Sequence, residues 1–110
     1  MNPKLDPKMK ARFTARANIL KAMAHPSRLY MVDRLSKGEE CVCKLAEALG
    51  IDMSTASKHL SMLKQVGIVE DEKRGSMVFY RLRVPKVMDC MDWVEHLLKN
   101  TAEQHADMVS

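Results

Sequence analysis

Two short amphipathic helices in close succession constrain the fold of this chain more than any other feature. The apolar residues of 42–49 and of the segment after Asp52 recur at helical spacing, and Gly50 separates the two runs. Asp52 is the expected N-cap of the second helix, and Gly67 is expected to end it. Two short helices joined by so tight a turn indicate a helix-turn-helix, whose second helix can enter the major groove of DNA.

Two strand-like runs follow the second of these helices. They cover residues 68–72 and 77–83, and Lys73-Arg74-Gly75-Ser76 is predicted to form the hairpin tip between them. A hairpin in this position is typical of the wing of a winged helix-turn-helix, and its two basic residues suit contact with phosphate. Residues 42–83 are therefore expected to form a DNA-binding unit.

The rest of the chain is predicted to be helical and to complete one domain, residues 1–110. Residues 8–23 form a first helix, His25-Pro26 begins a second, and Pro85 is expected to open a last helix that extends through residue 105. The predicted fold class is mainly α with a small β-hairpin (α+β), in the order α-α-α-α-β-β-α. The first and last helices each carry a continuous apolar face.

The composition favours a small globular protein that binds nucleic acid. Apolar residues make up 46% of the 110 residues, which is enough for a packed core. No apolar stretch approaches the roughly 18–20 residues that span a bilayer, and no secretory signal is recognisable, so we expect a cytoplasmic protein without membrane association. Residues 1–50 carry ten Lys or Arg against five Asp or Glu, whereas residues 84–110 carry two against five. A basic body with an acidic tail suits a phosphate backbone on one side.

The second short helix separates cleanly into an inward and an outward face. Its apolar residues form a single inward stripe of Ala56, Leu60, Leu63 and Val66. The outward face carries small hydroxyl side chains and one Lys without bulky acidic residues, as an approach to DNA requires. The candidate DNA-binding residues are Ser54, Thr55, Ser57, Lys58, His59 and Ser61 of this helix together with Lys73 and Arg74 of the hairpin tip.

Several motifs of the chain agree in order and spacing with one known family. These motifs are Leu20–Leu29 at the first helix break, Leu45–Ile51 and Ser54–Leu60 in the two short helices, Leu63–Val69 after them, and Phe79-Tyr80-Arg81-Leu82 in the wing. Together they resemble the ArsR/SmtB family of bacterial metal- and metalloid-responsive repressors, over roughly Asn18 to Val84. The resemblance implies a homodimeric transcriptional repressor in which each protomer reads one half of an inverted-repeat operator in double-stranded DNA.

The same resemblance implies that the first and last helices, 8–23 and 85–105, form the dimer interface. Their apolar faces call for a partner independently, because a domain of this size has too little surface of its own to cover both. The candidate interface residues are Met9, Phe13, Leu20, Val87, Met91, Val94 and Leu98.

A pair of cysteines stands at the start of the first short helix. Three Cys in so short a chain argue against a disulfide framework and for metal or redox chemistry. The segment Glu40-Cys41-Val42-Cys43 resembles the site of family members that sense arsenite, antimonite or soft divalent metals, although Lys44 replaces the usual Asp. Residues i and i+2 of a regular helix point about 200° apart, so joint coordination is expected to unwind the first turn and strain the DNA reader.

Cys90, in the last helix, has three open interpretations. It is a third ligand from the same or the other protomer, a disulfide partner of Cys41 or Cys43, or an inert interface residue. A disulfide between Cys41 and Cys43 themselves would close a very small ring, which favours Cys90 as the redox partner. The zinc-binding spacing of other family members is not reproduced by Asp89, Asp92, His96 and His105.

The leading functional hypothesis is a dimeric repressor that is released from its operator when As(III) or Sb(III) binds Cys41, Cys43 and Cys90. A cadmium- or lead-responsive repressor would use the same thiols, and a thiol-redox or reactive-sulfur switch would use them without any metal. A winged-helix module that binds only protein is a further alternative. The sequence contains no catalytic constellation and no phosphate-binding loop, so we do not expect an enzyme.

Overall fold

A computed structural model describes the backbone of residues 4–109 and the side chains of residues 4–101. Residues 1–3 and 110, and the side chain of His105, lie outside the described part. The elements in chain order are α1 (Pro7–Met23), α2 (Pro26–Leu35), β1 (Glu40–Cys41), α3 (Val42–Leu49), α4 (Met53–Gln65), β2 (Val69–Arg74), β3 (Met77–Leu82) and α5 (Val87–Val109). The predicted fold class, mainly α with a small β component, is confirmed.

Side-chain caps set the starts of the inner helices. The carboxylate of Asp52 accepts a hydrogen bond of 2.7 Å from the backbone N–H of Thr55, which confirms the predicted N-cap of α4. His25 caps α2 in the same way, because its Nδ1 accepts a hydrogen bond of 3.0 Å from the backbone N–H of Ser27. Helix α3 ends at Gly50, whose φ of +66° is a left-handed conformation that favours glycine.

The sheet has three strands rather than the two predicted. The strand order is β1-β3-β2, and both pairs are antiparallel. In the strand that was not predicted, Glu40 pairs with Tyr80 and Cys41 with Phe79. A strand of two residues is too short to show an alternating apolar pattern in the sequence. Its conformation depends instead on a partner strand almost forty residues away in the chain.

The wing is longer and its turn tighter than predicted. Strand β2 extends to Arg74, which pairs with Met77, so Lys73 and Arg74 belong to the strand and Gly75-Ser76 alone form the turn. Gly75 has a φ of +64°, as a two-residue hairpin turn requires. The last helix begins at Val87, two residues after Pro85.

The core lies between α2, α3, α4 and the sheet. The predicted inward stripe of α4 is confirmed for Ala56, Leu60 and Leu63, which have no exposed surface, and Val66 packs against them while partly exposed. The other buried core residues are Met23, Met31, Val32, Leu35, Val42, Leu45, Ala46, Ile68, Val69 and Tyr80. Because α4 buries this stripe so completely, its opposite face is held rigidly toward solvent.

Helices α1 and α5 extend away from this core. The radius of gyration is 17.6 Å, compared with about 13 Å for a compact domain of this length. Five of the seven candidate interface residues are exposed, whereas Val87 and Met91 are half-buried against the core. The five exposed residues are Met9, Phe13, Leu20, Val94 and Leu98. Within residues 4–109, no helix combines the length and apolar character needed to cross a membrane.

Candidate functional site

The outward face of α4 forms one wall of an open groove of about 570 Å³. The groove is lined by Arg28, Thr55, Ser57, Lys58, His59, Ser61 and Met62, so five of the six predicted reader residues of α4 lie along it. Ser54, the sixth, is exposed and donates a hydrogen bond of 2.9 Å to Asp52 at the first turn. The lining contains no acidic side chain. Its hydroxyl, ammonium and guanidinium groups can donate hydrogen bonds to the phosphate oxygens and base edges of DNA.

His59 does more than face the groove. Its Nδ1 accepts a hydrogen bond of 3.1 Å from Nε of Arg28, and its ring centroid lies 4.4 Å from that of His25. The pKa of His59 is lowered, first by burial and then by electrostatic interaction with His25 and Arg28. The neutral imidazole is therefore favoured, and we infer that it holds Arg28 in place in addition to the predicted contact with DNA.

Arg28 is a groove residue that the sequence analysis missed. Besides its bond to His59, its Nη1 donates a hydrogen bond of 3.2 Å to the backbone oxygen of Ala22. These two bonds fix the guanidinium of Arg28, which lines the same groove as Lys58. Sequence reasoning treated Pro26-Ser27-Arg28 only as a helix break, and nothing local in that motif indicates that Arg28 meets a helix 31 residues later.

The predicted DNA contact of Arg74 conflicts with its surroundings. Its guanidinium donates hydrogen bonds of 2.6 and 2.9 Å to Glu39 and of 2.7 Å to Glu72, and it lies 4.6 Å from the ring centroid of Phe79. Hydrogen bonds from Arg74 lower the pKa of both Glu39 and Glu72. Two carboxylates thus compensate the charge of Arg74. Of the two basic residues predicted at the hairpin tip, only Lys73 has no ion pair among the described residues.

The two cysteines of the Cys-Val-Cys segment lie together rather than apart. Cys41 is the N-cap of α3, with extended backbone (φ −78°, ψ 156°), and its Sγ accepts a hydrogen bond of 3.3 Å from the backbone N–H of Lys44. The structure pairs Cys41 with Cys43 as a disulfide, with their Cα atoms 5.4 Å apart. The prediction that the two sulfurs point apart was therefore wrong, because Cys43 is inside the helix and Cys41 is not. The preference for Cys90 as the disulfide partner was also wrong.

The paired cysteines open onto a cavity of about 110 Å³ that we call the thiol cavity. It is lined by Cys41, Val42, Cys43, Met53, Ser57, Ser76, Met77 and Val78. Its wall thus includes the first residue of α4, the turn of the wing and Ser57, which also lines the groove along α4. A ligand in this cavity would contact both α4 and the wing.

Cys90 does not join the other two cysteines within one protomer. It is half-buried in a separate apolar cavity of about 340 Å³ between α1 and α5, whose lining shares no residue with the thiol cavity. Over the described residues, no three side chains of the His, Cys, Asp and Glu types come together as a metal site. A third thiol would therefore have to come from a second copy of the chain.

Comparison with known proteins relates the chain to a family of regulators. The family model described as "Bacterial regulatory protein, arsR family" matches residues 25–71. The chain is 33% identical to the arsenic resistance transcriptional regulator of Pseudomonas putida over 84% of this chain and 70% of that one. It is 40% identical to the biofilm growth-associated repressor of Xylella fastidiosa over 71% of this chain and 68% of that one.

The fold has a counterpart of known structure. The solution structure of a homodimeric winged helix-turn-helix DNA-binding domain from Mycobacterium bovis, described as a possible ArsR-family transcriptional regulator, superposes with a TM-score of 0.76. The two chains are 32% identical, and the match covers 96% of each. The match includes both the helix-turn-helix with its wing and the helices α1 and α5 that extend from it.

Proposed function

Because this chain belongs to the ArsR/SmtB family of winged helix-turn-helix transcriptional regulators, we propose that it is a dimeric repressor that leaves its operator when arsenite or antimonite binds Cys41 and Cys43. The family consists of regulatory proteins and not of enzymes, which confirms that expectation from the sequence. The proposal has three parts, namely DNA reading, dimerisation and ligand-induced release.

The DNA-reading part rests on the groove along α4. Its hydroxyl groups are short enough to let the helix approach base edges, while Lys58 and Arg28 supply positive charge for the backbone. Such contacts release counterions, so binding weakens steeply as salt rises. A winged-helix module that binds only protein would show no such salt-dependent association with a DNA duplex.

The dimeric part rests on the exposed apolar faces of α1 and α5. An inverted-repeat operator presents two equivalent half-sites, which a protein with twofold symmetry matches. The relative from Mycobacterium bovis is described as homodimeric, and the match to it includes α1 and α5. We therefore assign the predicted interface residues of these helices to contact with a second copy.

The release part rests on one observation, the position of Cys41 at a junction of the fold. Cys41 ends β1, where it pairs with Phe79 of the wing, and it also caps α3, which packs against α4. A ligand bound to the thiolate of Cys41 would therefore affect both the wing and α3, the helix that packs against α4. Shifting a DNA-competent population from 99:1 to 1:99 requires a preference of about 5.5 kcal/mol for the released form, a size within reach of thiolate ligation.

An arsenite titration tests the proposal. The reduced protein is bound to a duplex that it has selected from a random-sequence pool, and arsenite is added while fluorescence anisotropy reports the bound fraction. We expect release at about one arsenite per chain, and no release from the Cys41→Ser or Cys43→Ser variants. Retention of the wild-type protein on DNA at stoichiometric arsenite would contradict the proposal.

Two variations of the experiment separate the remaining alternatives for the same thiols. Cys90→Ser reports whether a third sulfur from the partner contributes, because its removal then weakens arsenite binding without abolishing it. Cd(II) or Pb(II) in place of arsenite tests the divalent alternative directly.

A thiol-redox switch is the second candidate, and the pairing of Cys41 with Cys43 in the structure favours it. In this case an oxidant removes two electrons and two protons from the two thiols and forms the disulfide without any metal. The expected result is operator release on addition of oxidant alone, which persists in Cys90→Ser and disappears in Cys43→Ser. Unchanged operator affinity of the oxidised protein would exclude this candidate.

A further inference from the structure

Helix α1 carries positive charge that no carboxylate among the described side chains compensates. Its 17 residues, Pro7–Met23, include five Lys or Arg and no Asp or Glu. None of these five cations forms an ion pair within residues 4–101. The last carboxylate before the helix, that of Asp6, serves as the N-cap and accepts a hydrogen bond of 2.8 Å from the backbone N–H of Met9.

The wing, in contrast, balances its own charges. Residues 69–82 contain three Lys or Arg and three Asp or Glu. Arg81 pairs with Glu70 at 2.8 Å, and Arg74 pairs with Glu72 at 2.7 Å. A cation that is already paired gains little from a phosphate, because the new contact replaces an existing one. Attraction to the DNA backbone is therefore expected mainly from cations outside the wing.

Three cations of α1 share one face with the residue that anchors this helix in the core. Met23 is 5% exposed and belongs to the core cluster that also contains the buried side chains of α4. Steps of three or four residues return to the same side of a helix, and from Met23 they lead back to Ile19, Arg16, Arg12 and Lys8. We call Lys8, Arg12 and Arg16, which are all exposed, the basic stripe. The side of α1 that packs on the core at one end is thus cationic where the helix extends beyond the core.

The basic stripe starts close to the groove along α4. Helix α1 packs against both α2 and α4. Arg28, which lines the groove, donates a hydrogen bond of 3.2 Å to the backbone oxygen of Ala22 in the last turn of α1. At about 1.5 Å per residue, Arg16 lies about 9 Å from Ala22 along the helix and Lys8 about 21 Å. Duplex DNA presents one phosphate charge per about 1.7 Å of its axis, so a stripe of this length can meet several phosphates.

The basic stripe lies outside the proposed dimer interface. The candidate interface residues of α1, Met9, Phe13 and Leu20, are centred about 80° further round the helix. Arg16 lies at the boundary, with its guanidinium 5.2 Å from the ring centroid of Phe13. A twofold dimer therefore presents two basic stripes, one on each protomer.

We propose that the basic stripe is a second DNA-binding surface, which contacts the phosphate backbone next to the half-site read by α4. This inference rests on the DNA-reading part of the proposed function. Phosphate contacts carry no sequence information, so the stripe raises the affinity for every duplex by the same factor and leaves the choice of sequence to α4. An anionic membrane is the competing partner for a basic helix, but a membrane-surface helix needs a free apolar face, and that of α1 is assigned to the second copy.

Lys8 occupies a position that the stability of the helix does not explain. It lies in the first turn of α1, where the partial positive charge of the backbone N–H groups repels a cation. Acidic residues are the favourable choice there, and the first turn of α1 has none. Neutralising Lys8 should therefore not weaken the helix, which makes it a suitable position for a test.

The test compares two double variants that remove the same charge from opposite sides of α1. The stripe variant, Lys8→Gln/Arg12→Gln, keeps Arg16 because that side chain borders the dimer face. The control variant is Lys10→Gln/Lys21→Gln, since Lys10 and Lys21 are exposed and lie about 170° round the helix from the basic stripe. Fluorescence anisotropy measures the binding of each protein to the selected operator and to an unrelated duplex of equal length at four or five salt concentrations.

We expect the stripe variant to bind both duplexes at least ten-fold more weakly than the wild-type protein, with an unchanged ratio between the two affinities. The slope of log K against log salt should become smaller by about 3.6 for the dimer, because four phosphates are no longer neutralised at about 0.9 each. The control variant should keep the wild-type slope. Circular dichroism confirms that each variant is folded.

Other results would overturn the inference. These are an equal loss of affinity in the two variants, no loss in the stripe variant, or a loss confined to the operator. Dissociation of the stripe variant in sedimentation would also count against it, because the stripe would then belong to the dimer interface. Binding of the wild-type protein to vesicles of phosphatidylcholine and phosphatidylserine, lost in the stripe variant while its DNA affinity is unchanged, would assign the stripe to a membrane instead.

The same titrations separate this inference from the proposed function. If the wild-type protein binds neither duplex, the DNA-reading proposal fails and the basic stripe fails with it. If the wild-type protein and the stripe variant bind the operator equally, only the basic stripe fails. Stripe-dependent binding without release by arsenite supports the basic stripe and defeats the proposed arsenite switch.

Discussion

Arg28 was not predicted from the sequence as a groove residue. Hydrogen bonds to two other helices hold its side chain in place. His59 of α4 and the backbone of Ala22 in α1 fix two of its donor groups, so less side-chain entropy is lost when the guanidinium meets a phosphate. After burial, this pairing also favours the neutral form of His59, since a proton on Nδ1 would remove the acceptor of this hydrogen bond and place like charges together. The sequence contains Arg28, His59 and Ala22 but does not indicate that they contact one another.

The hydrogen bond to His59 should make stability depend on pH. The folded-state pKa of His59 is depressed, so its contribution is present above the unfolded-state pKa of about 6.5 and is lost as pH falls below it. The His59→Asn variant keeps an acceptor near the position of Nδ1 but does not titrate. Urea unfolding at fixed protein concentration between pH 7.5 and 5 should show a smaller decrease of unfolding free energy in His59→Asn than in the wild-type protein. Parallel curves would contradict this role.

Arg28 and Arg74 should respond differently when their charge is removed. Arg28→Gln should weaken DNA binding by roughly ten-fold and reduce the slope of log K against log salt by about one, as expected when a single phosphate is no longer neutralised. Arg74→Gln should leave the slope unchanged, because Glu39 and Glu72 already compensate the guanidinium. Anisotropy titrations at four or five salt concentrations measure both slopes. A larger decrease of affinity in Arg74→Gln than in Arg28→Gln would reverse this assignment.

Among the elements, those with a local signal were predictable and those held by distant partners were not. Helix α3 spans the predicted residues 42–49, because Gly50 ends it and Asp52 starts α4. Strand β1 escaped prediction because its hydrogen bonds go to Phe79 and Tyr80. The predicted divergence of the two thiols applied helical geometry to Cys41, which lies just outside the helix and has extended backbone as the N-cap of α3.

The capping role of Cys41 can be separated from its sulfur chemistry. Serine is a strong N-cap, so Cys41→Ser should retain the hydrogen bond from the backbone N–H of Lys44, whereas Cys41→Ala should lose it. We expect Cys41→Ala to be less stable than Cys41→Ser by about 1 kcal/mol in reduced protein, while neither variant forms the Cys41–Cys43 disulfide. Denaturant unfolding under reducing conditions measures the difference. Equal stabilities of the two variants would mean that the cap contributes nothing.

At the scale of the whole molecule, two helices leave apolar faces uncovered. Its long axis of 59 Å and its short axis of 23 Å describe a flattened body from which α1 and α5 extend with apolar side chains uncovered. Stable interfaces bury about 1,200–2,000 Å² in total and have apolar centres. The sequence analysis expected these faces to be uncovered within the chain, and five of the seven named residues are exposed. Val87 and Met91 instead pack against the core, because periodicity does not distinguish a face that packs within the chain from one that packs against a copy.

A charge placed on this face should therefore dissociate the molecule and disable DNA binding together. Leu98 is 60% exposed on α5, and a glutamate there would bury an unpaired carboxylate in the proposed interface, at a cost of several kcal/mol. Val84→Glu is the matched control, since Val84 is 44% exposed but lies outside both α1 and α5. Sedimentation should give twice the 12.5 kDa chain mass for the wild-type protein and Val84→Glu, and the chain mass for Leu98→Glu.

The link between assembly and function follows from how affinities combine. A single protomer binds only one half-site. In a dimer, binding of the first half-site holds the second protomer at high effective concentration near the second half-site, which increases the overall affinity. Leu98→Glu should therefore bind an inverted repeat at least 100-fold more weakly than the wild-type protein and no better than it binds a single half-site. If Leu98→Glu remained dimeric, or if Val84→Glu dissociated equally, the faces of α1 and α5 would not be the interface. The apolar surface would then have to serve a partner other than a second copy.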